Sequence, residues 1–198
     1  MISALRRMVR LAFIALVGIC LYFAITYKPY RILIPSVAPV TCVTDRLCLD
    51  DVSREAEAQR LTNDALSFVN REIGEIQNPP RIYFCASEPC STYFGLEGTA
   101  GYAVGTLGIV IKPSGWKDHT LRHELIHHLQ NDQLGTFGAY LTPKWFREGM
   151  AYSLSRDPRR PLNNTHGIED FRKAFEVWYP TIAKENLWDE ARKLDRND

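Results

Sequence analysis

Residues 118–133, DHTLRHELIHHLQNDQ, decide how this chain is organised, because they contain the pattern His-Glu-x-x-His. The apolar residues around the pattern predict one helix over the whole stretch, with Asp118 as its N-cap. Residues four apart lie on the same face of a helix, so His123 and His127 can both reach one metal ion. Glu124 follows the first histidine and is placed to take a proton from a water molecule on that ion.

A second segment, Trp145-Phe146-Arg147-Glu148-Gly149-Met150-Ala151, begins eighteen residues after His127. We expect a helix to start at Thr142-Pro143, since Thr is a good N-cap and Pro is favoured at the first helical position. Glu148 on this helix can supply a third metal ligand. Two histidines and one glutamate leave an open coordination position, as a catalytic zinc site requires. The other candidates for the third ligand are His119, His128 and His166.

This constellation resembles the gluzincin metallopeptidases of the peptidase MA-like superfamily, the group that includes thermolysin and the aminopeptidases related to it. The resemblance covers roughly residues 100–155, and the matching residues are His123, Glu124, His127 and Glu148. It implies that the two histidines and the downstream glutamate bind Zn2+ and that the glutamate of the motif is the general base. Thermolysin-like members carry an aspartate one turn after the ligand glutamate, where this chain has Tyr152.

Composition narrows the class of protein. The chain has 198 residues, enough for one domain with a hydrophobic core. Its net charge of +1 gives no indication of a nucleic-acid partner. The charge is uneven, because residues 1–27 contain three arginines and no acid, which leaves the remainder with a net charge of −2.

The N-terminus contains 17 uncharged residues, Leu11–Tyr27, between Arg10 and Lys28. This is the short end of the length that spans a membrane, and tyrosines cluster at its outer end. We therefore expect residues 1–27 to form a transmembrane anchor with a short cytoplasmic tail, followed by an extended linker at residues 28–41. The alternatives are a cleaved signal peptide and a buried helix of a soluble protein.

Four cysteines outside the N-terminal segment form two close pairs, Cys42 with Cys48 and Cys85 with Cys90. Such pairs predict two short-loop disulfides in an oxidising compartment, so the C-terminal domain is expected to be periplasmic or extracellular. Two alternatives remain, which are four free cysteines in the cytosol and a zinc site built from all four.

The rest of the chain predicts an α+β fold. Hydrophobic periodicity indicates a helix from Asp50 to Ile73 and strands at Arg81–Cys85, Tyr102–Val104 and Leu107–Lys112. Gly135 and Gly138 mark a loop after the motif helix, and two further helices are expected at about residues 168–178 and 182–194. The resemblance implies the same architecture for residues 42–198, a zincin-like metallopeptidase domain. Its small, mostly antiparallel sheet would pack on the motif helix, with a helical C-terminal part.

Together these features predict a membrane-anchored, extracytoplasmic zinc metallopeptidase that cleaves peptides or proteins, with Glu124 as general base. The strand at Leu107–Lys112 is expected to be the sheet edge that aligns an extended peptide by main-chain hydrogen bonds. A partner from a membrane complex is possible for a domain this small. Two alternatives use the same residues: a zinc hydrolase acting on a non-peptide amide, and a non-enzymatic zinc-binding envelope or adaptor protein. The candidates for the oxyanion-stabilising residue are Tyr140, Tyr152 and His166.

Overall fold

A five-stranded mixed sheet forms the centre of the computed structural model, which describes residues 2–162 and 167–194. In sheet order the strands are β1, β2, β3, β5 and β4. The two outer pairs are antiparallel, and β3 runs parallel to both β2 and β5. The strands are β1 (Thr41–Thr44), β2 (Leu47–Leu49), β3 (Arg81–Phe84), β4 (Gly101–Val104) and β5 (Gly108–Ile111).

Eight α-helices lie in the described part of the chain, which is therefore an α+β protein. They are α1 (Ile2–Thr26), α2 (Glu55–Glu72), α3 (Glu88–Phe94), α4 (Asp118–Leu134), α5 (Thr136–Leu141), α6 (Lys144–Leu154), α7 (Ile168–Trp178) and α8 (Leu187–Ala191).

Hydrophobic side chains cover both faces of the sheet. On one face Ile82 and Phe84 of β3 join the larger core, to which α2, α4, α6, α7 and α8 contribute. On the other face Tyr83 packs with Phe94 of α3 in a smaller core. Because successive residues of a strand point to opposite faces, a stretch buried on both sides is apolar throughout, as Ile82, Tyr83 and Phe84 of β3 are.

The sheet is mixed, and the expectation of a mostly antiparallel sheet is wrong. The helix α2 connects β2 to β3 and returns the chain to its starting end, so β3 runs parallel to β2. The segment that contains α3 and β4 connects β3 to β5 in the same way, so β5 runs parallel to β3. The strands β1 and β2 and the helix α3 were not anticipated from the sequence.

The segment at residues 28–41 was expected to be extended, but two 3-10 turns at Lys28–Leu33 and Pro35–Val37 replace that conformation. Proline near the start of each turn restricts φ to a value that suits the turn. Ile32 is buried in the smaller core, and its carbonyl accepts a hydrogen bond of 2.6 Å from the Tyr83 hydroxyl. The segment therefore packs on the sheet.

The N-terminal residues form a 25-residue helix, α1. Among the residues that the structure describes, no helix is both long and apolar enough to cross a membrane. The transmembrane helix in the expected fold class is thus not found in this part of the chain.

Both expected disulfides are present. Cys42–Cys48 links β1 to β2, and Cys85–Cys90 links the end of β3 to α3. The first disulfide therefore fixes the β1 edge of the sheet. The second fixes α3, which covers the face of the sheet that carries Tyr83.

Several helix boundaries differ from those expected. The motif helix α4 begins at Asp118 itself, with Lys117 as its N-cap. The α6 helix begins at Lys144, and Pro143 occupies the N-cap position expected for Thr142. Gly138 lies inside the short helix α5, and the C-terminal helix is reduced to α8 preceded by a 3-10 turn.

Close packing of α6 against α7 generates a prediction about stability. A Cβ added at Gly149 would overlap Phe171 O and lie 2.8 Å from Phe175 Cβ. Gly149→Ala should therefore lower the free energy of unfolding by about 1–3 kcal/mol, as overpacking does, in denaturant titrations of the metal-free protein.

Gly138→Ala is the matched control, because its nearest neighbour would be Leu134 Cβ at 3.7 Å and alanine favours a helix. Equal stability of the two variants would contradict this account of the α6–α7 contact.

Candidate metal centre

The helix α4 presents its two motif histidines side by side. The Nε2 atoms of His123 and His127 are 3.0 Å apart, and both side chains are mostly buried. Leu121, Leu125 and Leu129 lie on the opposite side of the helix and are fully buried in the larger core. The apolar face therefore fixes the rotation of α4 and aims both imidazoles away from the core.

The helix α6 brings Glu148 to the histidines. Its Oε2 lies 3.5 Å from His127 Nε2 and 3.9 Å from His123 Nε2. Phe146, Met150 and Ala151 of the same helix are buried, so α6 is held in the core by the residues that flank the glutamate. The three residues predicted as metal ligands are thus brought together.

The three donor atoms fit one metal ion. They all lie within 4.8 Å of one another. A tetrahedral ion with N and O ligands at about 2.0–2.1 Å separates neighbouring donors by about 3.3 Å, within the range of the three distances observed here. His123, His127 and Glu148 can therefore hold a metal ion.

Gln130 orients one of the histidines, and sequence reasoning missed it. Its Oε1 is 2.9 Å from His127 Nδ1, and its Nε2 donates to Arg147 O at 3.0 Å. Because the amide nitrogen faces the Arg147 carbonyl, the amide oxygen faces His127 and accepts the Nδ1 proton. The lone pair of Nε2 is then directed to the metal position. The only signal in the sequence is a polar residue three positions after a ligand.

Glu124 is a buried carboxylate beside this centre, with 6% of the residue exposed. Burial raises its pKa to about 7, although a hydrogen bond from the Ala103 backbone acts in the opposite direction. The β4 backbone approaches closely, since a Cβ at Gly101 would lie 3.2 Å from Glu124 Cγ. The carboxylate is therefore enclosed between α4 and β4 and lines a cleft.

The predicted ligands have shifted pKa values in the metal-free protein. Burial lowers the pKa of His123 to about 3. Burial also disfavours charge on His127, but the carboxylate of Glu148 outweighs it and raises the pKa of His127 to about 9. For Glu148 burial opposes ionisation, but the charge and the hydrogen bond of His127, together with the charge effects of His123 and Arg147, outweigh burial and lower the pKa to about 2. One proton thus lies on His127 where a metal ion would bind.

Two of the other histidines proposed as third ligands, His119 and His128, lie outside the ligand cluster. His119 lines the cleft but is not in the ligand cluster. His128 is fully buried, and its Nε2 is 2.9 Å from Asn78 O, so it ties α4 to the chain before β3. His166 lies outside the described residues.

A cleft of about 870 Å³ opens over the candidate centre. Residues 98–105, which include β4, form one wall, and α4 and α6 form the other. Tyr140 and Tyr152, both candidates for stabilising an oxyanion, line it. The ring of Tyr152 packs against that of His123 with 4.4 Å between centroids. Its volume lies within the range of about 300–1,000 Å³ that is typical of ligand-binding clefts.

Loss of Gln130 should weaken metal binding. Gln130→Met removes the hydrogen bond that orients His127 and keeps the apolar volume. We expect metal affinity to fall about 10- to 100-fold, as for other residues that orient a histidine ligand, measured by competition with a chelator. Gln133→Met, on the same helix but outside the cleft, should leave the affinity unchanged.

Metal binding should release protons at neutral pH. His127, with a pKa near 9, is protonated without metal and must be neutral to bind. We expect about one proton from His127 at pH 7, a further fraction from Glu124, and an affinity that rises with pH up to about 9. Titration calorimetry in buffers with different ionisation enthalpies measures this number. An affinity independent of pH between 7 and 9 would contradict the assignment.

Comparison with known proteins finds no matching family model, no matching curated protein and no matching solved structure. The candidate site therefore has to be interpreted from its own chemistry.

Proposed function

We propose that this chain is a zinc metallopeptidase of the gluzincin type. One observation carries the proposal. The buried carboxylate of Glu124 lies beside the cluster of two histidines and one glutamate, and all four residues line an open cleft. Two imidazoles and one carboxylate are a typical ligand set for a catalytic zinc ion with an open position. Zn2+ bound there would act as a Lewis acid and make a water molecule more acidic.

Glu124 acts as the general base in this proposal. It accepts a proton from the attacking water and passes it to the leaving amine. A pKa of about 7 suits both transfers at neutral pH, because a group near its pKa can accept and donate a proton. Its enclosure between α4 and β4 fixes the carboxylate during both steps.

The edge of the sheet would align the substrate. We expected Leu107–Lys112 to be that edge, but β5 lies between β3 and β4, so β4 (Gly101–Val104) is the edge strand. Strand β4 also lines the cleft. An extended peptide paired with β4 by main-chain hydrogen bonds would lie over the centre, which favours a peptide over a small non-peptide amide as substrate.

We assign the stabilisation of the oxyanion to Tyr152 rather than to Tyr140, the other candidate in the described part of the chain. It lies one turn after Glu148 on α6, and its ring contacts His123. Burial raises the pKa of its hydroxyl, which therefore remains protonated and able to donate a hydrogen bond.

We further propose that the domain works in an oxidising compartment, either periplasmic or extracellular. The two disulfides support this location, since cytosolic proteins rarely keep such bonds. That the substrate is a peptide or a protein remains a prediction, as does a partner from a membrane complex.

The substitution Glu124→Gln separates an enzyme from a zinc-binding adaptor. The amide keeps the size of the side chain but cannot accept a proton. We expect hydrolysis of a peptide library to fall at least about 100-fold, the low end for losing a general base, while zinc content and thermal stability remain near wild type.

Glu75→Gln, an exposed glutamate outside the cleft, is the control and should keep full activity. A wild-type rate in Glu124→Gln would refute the mechanism. If the wild-type protein and Glu124→Gln are equally inactive while both hold zinc, the adaptor is favoured instead.

A further inference from the structure

A buried carboxylate, Asp157, and the arginine that it pairs with, Arg159, line the cleft in the loop after α6. The side chain of Asp157 is 2% exposed, and its Oδ1 accepts hydrogen bonds of 2.9 Å from both the backbone N and the Nε of Arg159. Burial alone would raise the pKa of Asp157, but these hydrogen bonds and the guanidinium charge outweigh it and lower the pKa. Asp157 is therefore an ionised anchor for Arg159.

A second network fixes the backbone of the same residue. The Arg159 carbonyl accepts a hydrogen bond of 3.0 Å from Nη1 of Arg172. Arg172 is buried and paired with Glu169, whose carboxylate also accepts from Leu162 N at 3.0 Å. Arg159 is thus held through its amide, its carbonyl and its Nε. An arginine held in this way loses little further conformational entropy when it binds a ligand.

The outer part of this side chain faces the cleft. The Arg159 side chain is 61% exposed and lines the cleft together with His123 and Tyr152. Asp157 takes the Nε and Nη2 groups, while Nη1 has no hydrogen-bond partner among the residues that the structure describes. Its charge acts on both His119 and His123, which places it within electrostatic reach of the candidate metal centre. A preorganised donor therefore lies beside the reaction site.

We propose that Arg159 binds a carboxylate of the peptide substrate and so determines which peptides the cleft accepts. The N–H groups of a guanidinium match the two oxygens of a carboxylate. Asp157 already neutralises the arginine, so the pair gives no net attraction to a dianion such as a phosphate group. A single negative charge bound through hydrogen bonds fits the pair better. The carboxylate is either the C-terminus of the substrate or an aspartate or glutamate side chain.

This inference rests on the proposed function, and a binding experiment keeps the two separable. A hexapeptide library, prepared once as free acids and once as C-terminal amides, is passed over immobilised, zinc-supplemented Glu124→Gln protein. Bound peptides are quantified by mass spectrometry. We expect carboxylate-bearing members to bind at least about tenfold more tightly than their neutral counterparts, as loss of a charged hydrogen bond implies.

The variants identify Arg159 as the cause. Adding Arg159→Gln to Glu124→Gln should reduce the preference to less than about twofold, and Arg159→Lys should retain part of it because the charge remains. Arg160→Gln is the matched control, since Arg160 is equally exposed, pairs with Glu176 and lies outside the cleft. The double change Asp157→Asn with Arg159→Gln leaves no unpaired buried charge, so loss of the preference in it is not caused by misfolding.

The two sources of carboxylate give different results. A preference for free acids over amides indicates recognition of the C-terminus, and a preference for aspartate or glutamate over asparagine or glutamine indicates an acidic side chain. The proposal is overturned if no peptide is retained on the protein, or if the preference for carboxylates is absent or persists in Arg159→Gln. Either result overturns it even if the wild-type protein hydrolyses peptides. A preference that depends on Arg159 in a protein without hydrolytic activity would support this inference and refute the proposed function instead.

Discussion

The hydrogen bond from Gln130 Nε2 to Arg147 O is the contact on which the candidate centre depends most. It joins α4, which carries two predicted ligands, to α6, which carries the third. The same amide faces His127 through its oxygen, so one buried side chain sets both the distance between the helices and the direction of an imidazole. Gly149 then allows α6 to pack closely on α7. The ligand geometry is therefore a consequence of helix packing.

Charge in the cleft is arranged around three carboxylates, those of Glu124, Glu148 and Asp157. Glu148 faces two imidazoles and ionises easily, whereas Glu124 is held between a helix and an edge strand, where burial favours its neutral form. Similar side chains thus have different roles: His127 acts on both, but it also donates a hydrogen bond to Glu148, whereas for Glu124 burial outweighs its charge. Asp157 is a third case, since it is buried but ionised by the arginine that it holds.

Local signals in the sequence predicted the helices and the ligand pair, whose positions depend on residues close to one another in the chain. Hydrophobic periodicity placed α2 and α7, the apolar residues around the motif placed α4, and the His-Glu-x-x-His spacing placed two ligands on one face. The order of strands in the sheet is non-local, so β4 rather than β5 proved to be the edge. Strands β1 and β2 were missed, because Cys42 and Cys48 within them were interpreted only as a disulfide-linked pair. Gln130 acquires its role only when α4 and α6 meet.

The central claim is that two histidines and one glutamate bind zinc in an open site. X-ray absorption at the zinc edge, on the full-length chain loaded with one equivalent of Zn2+, tests it most directly. The account predicts four nitrogen or oxygen ligands at about 2.0–2.1 Å, with the outer-shell scattering of two imidazoles. Sulfur at about 2.3 Å, or the scattering of fewer than two imidazoles, would contradict it.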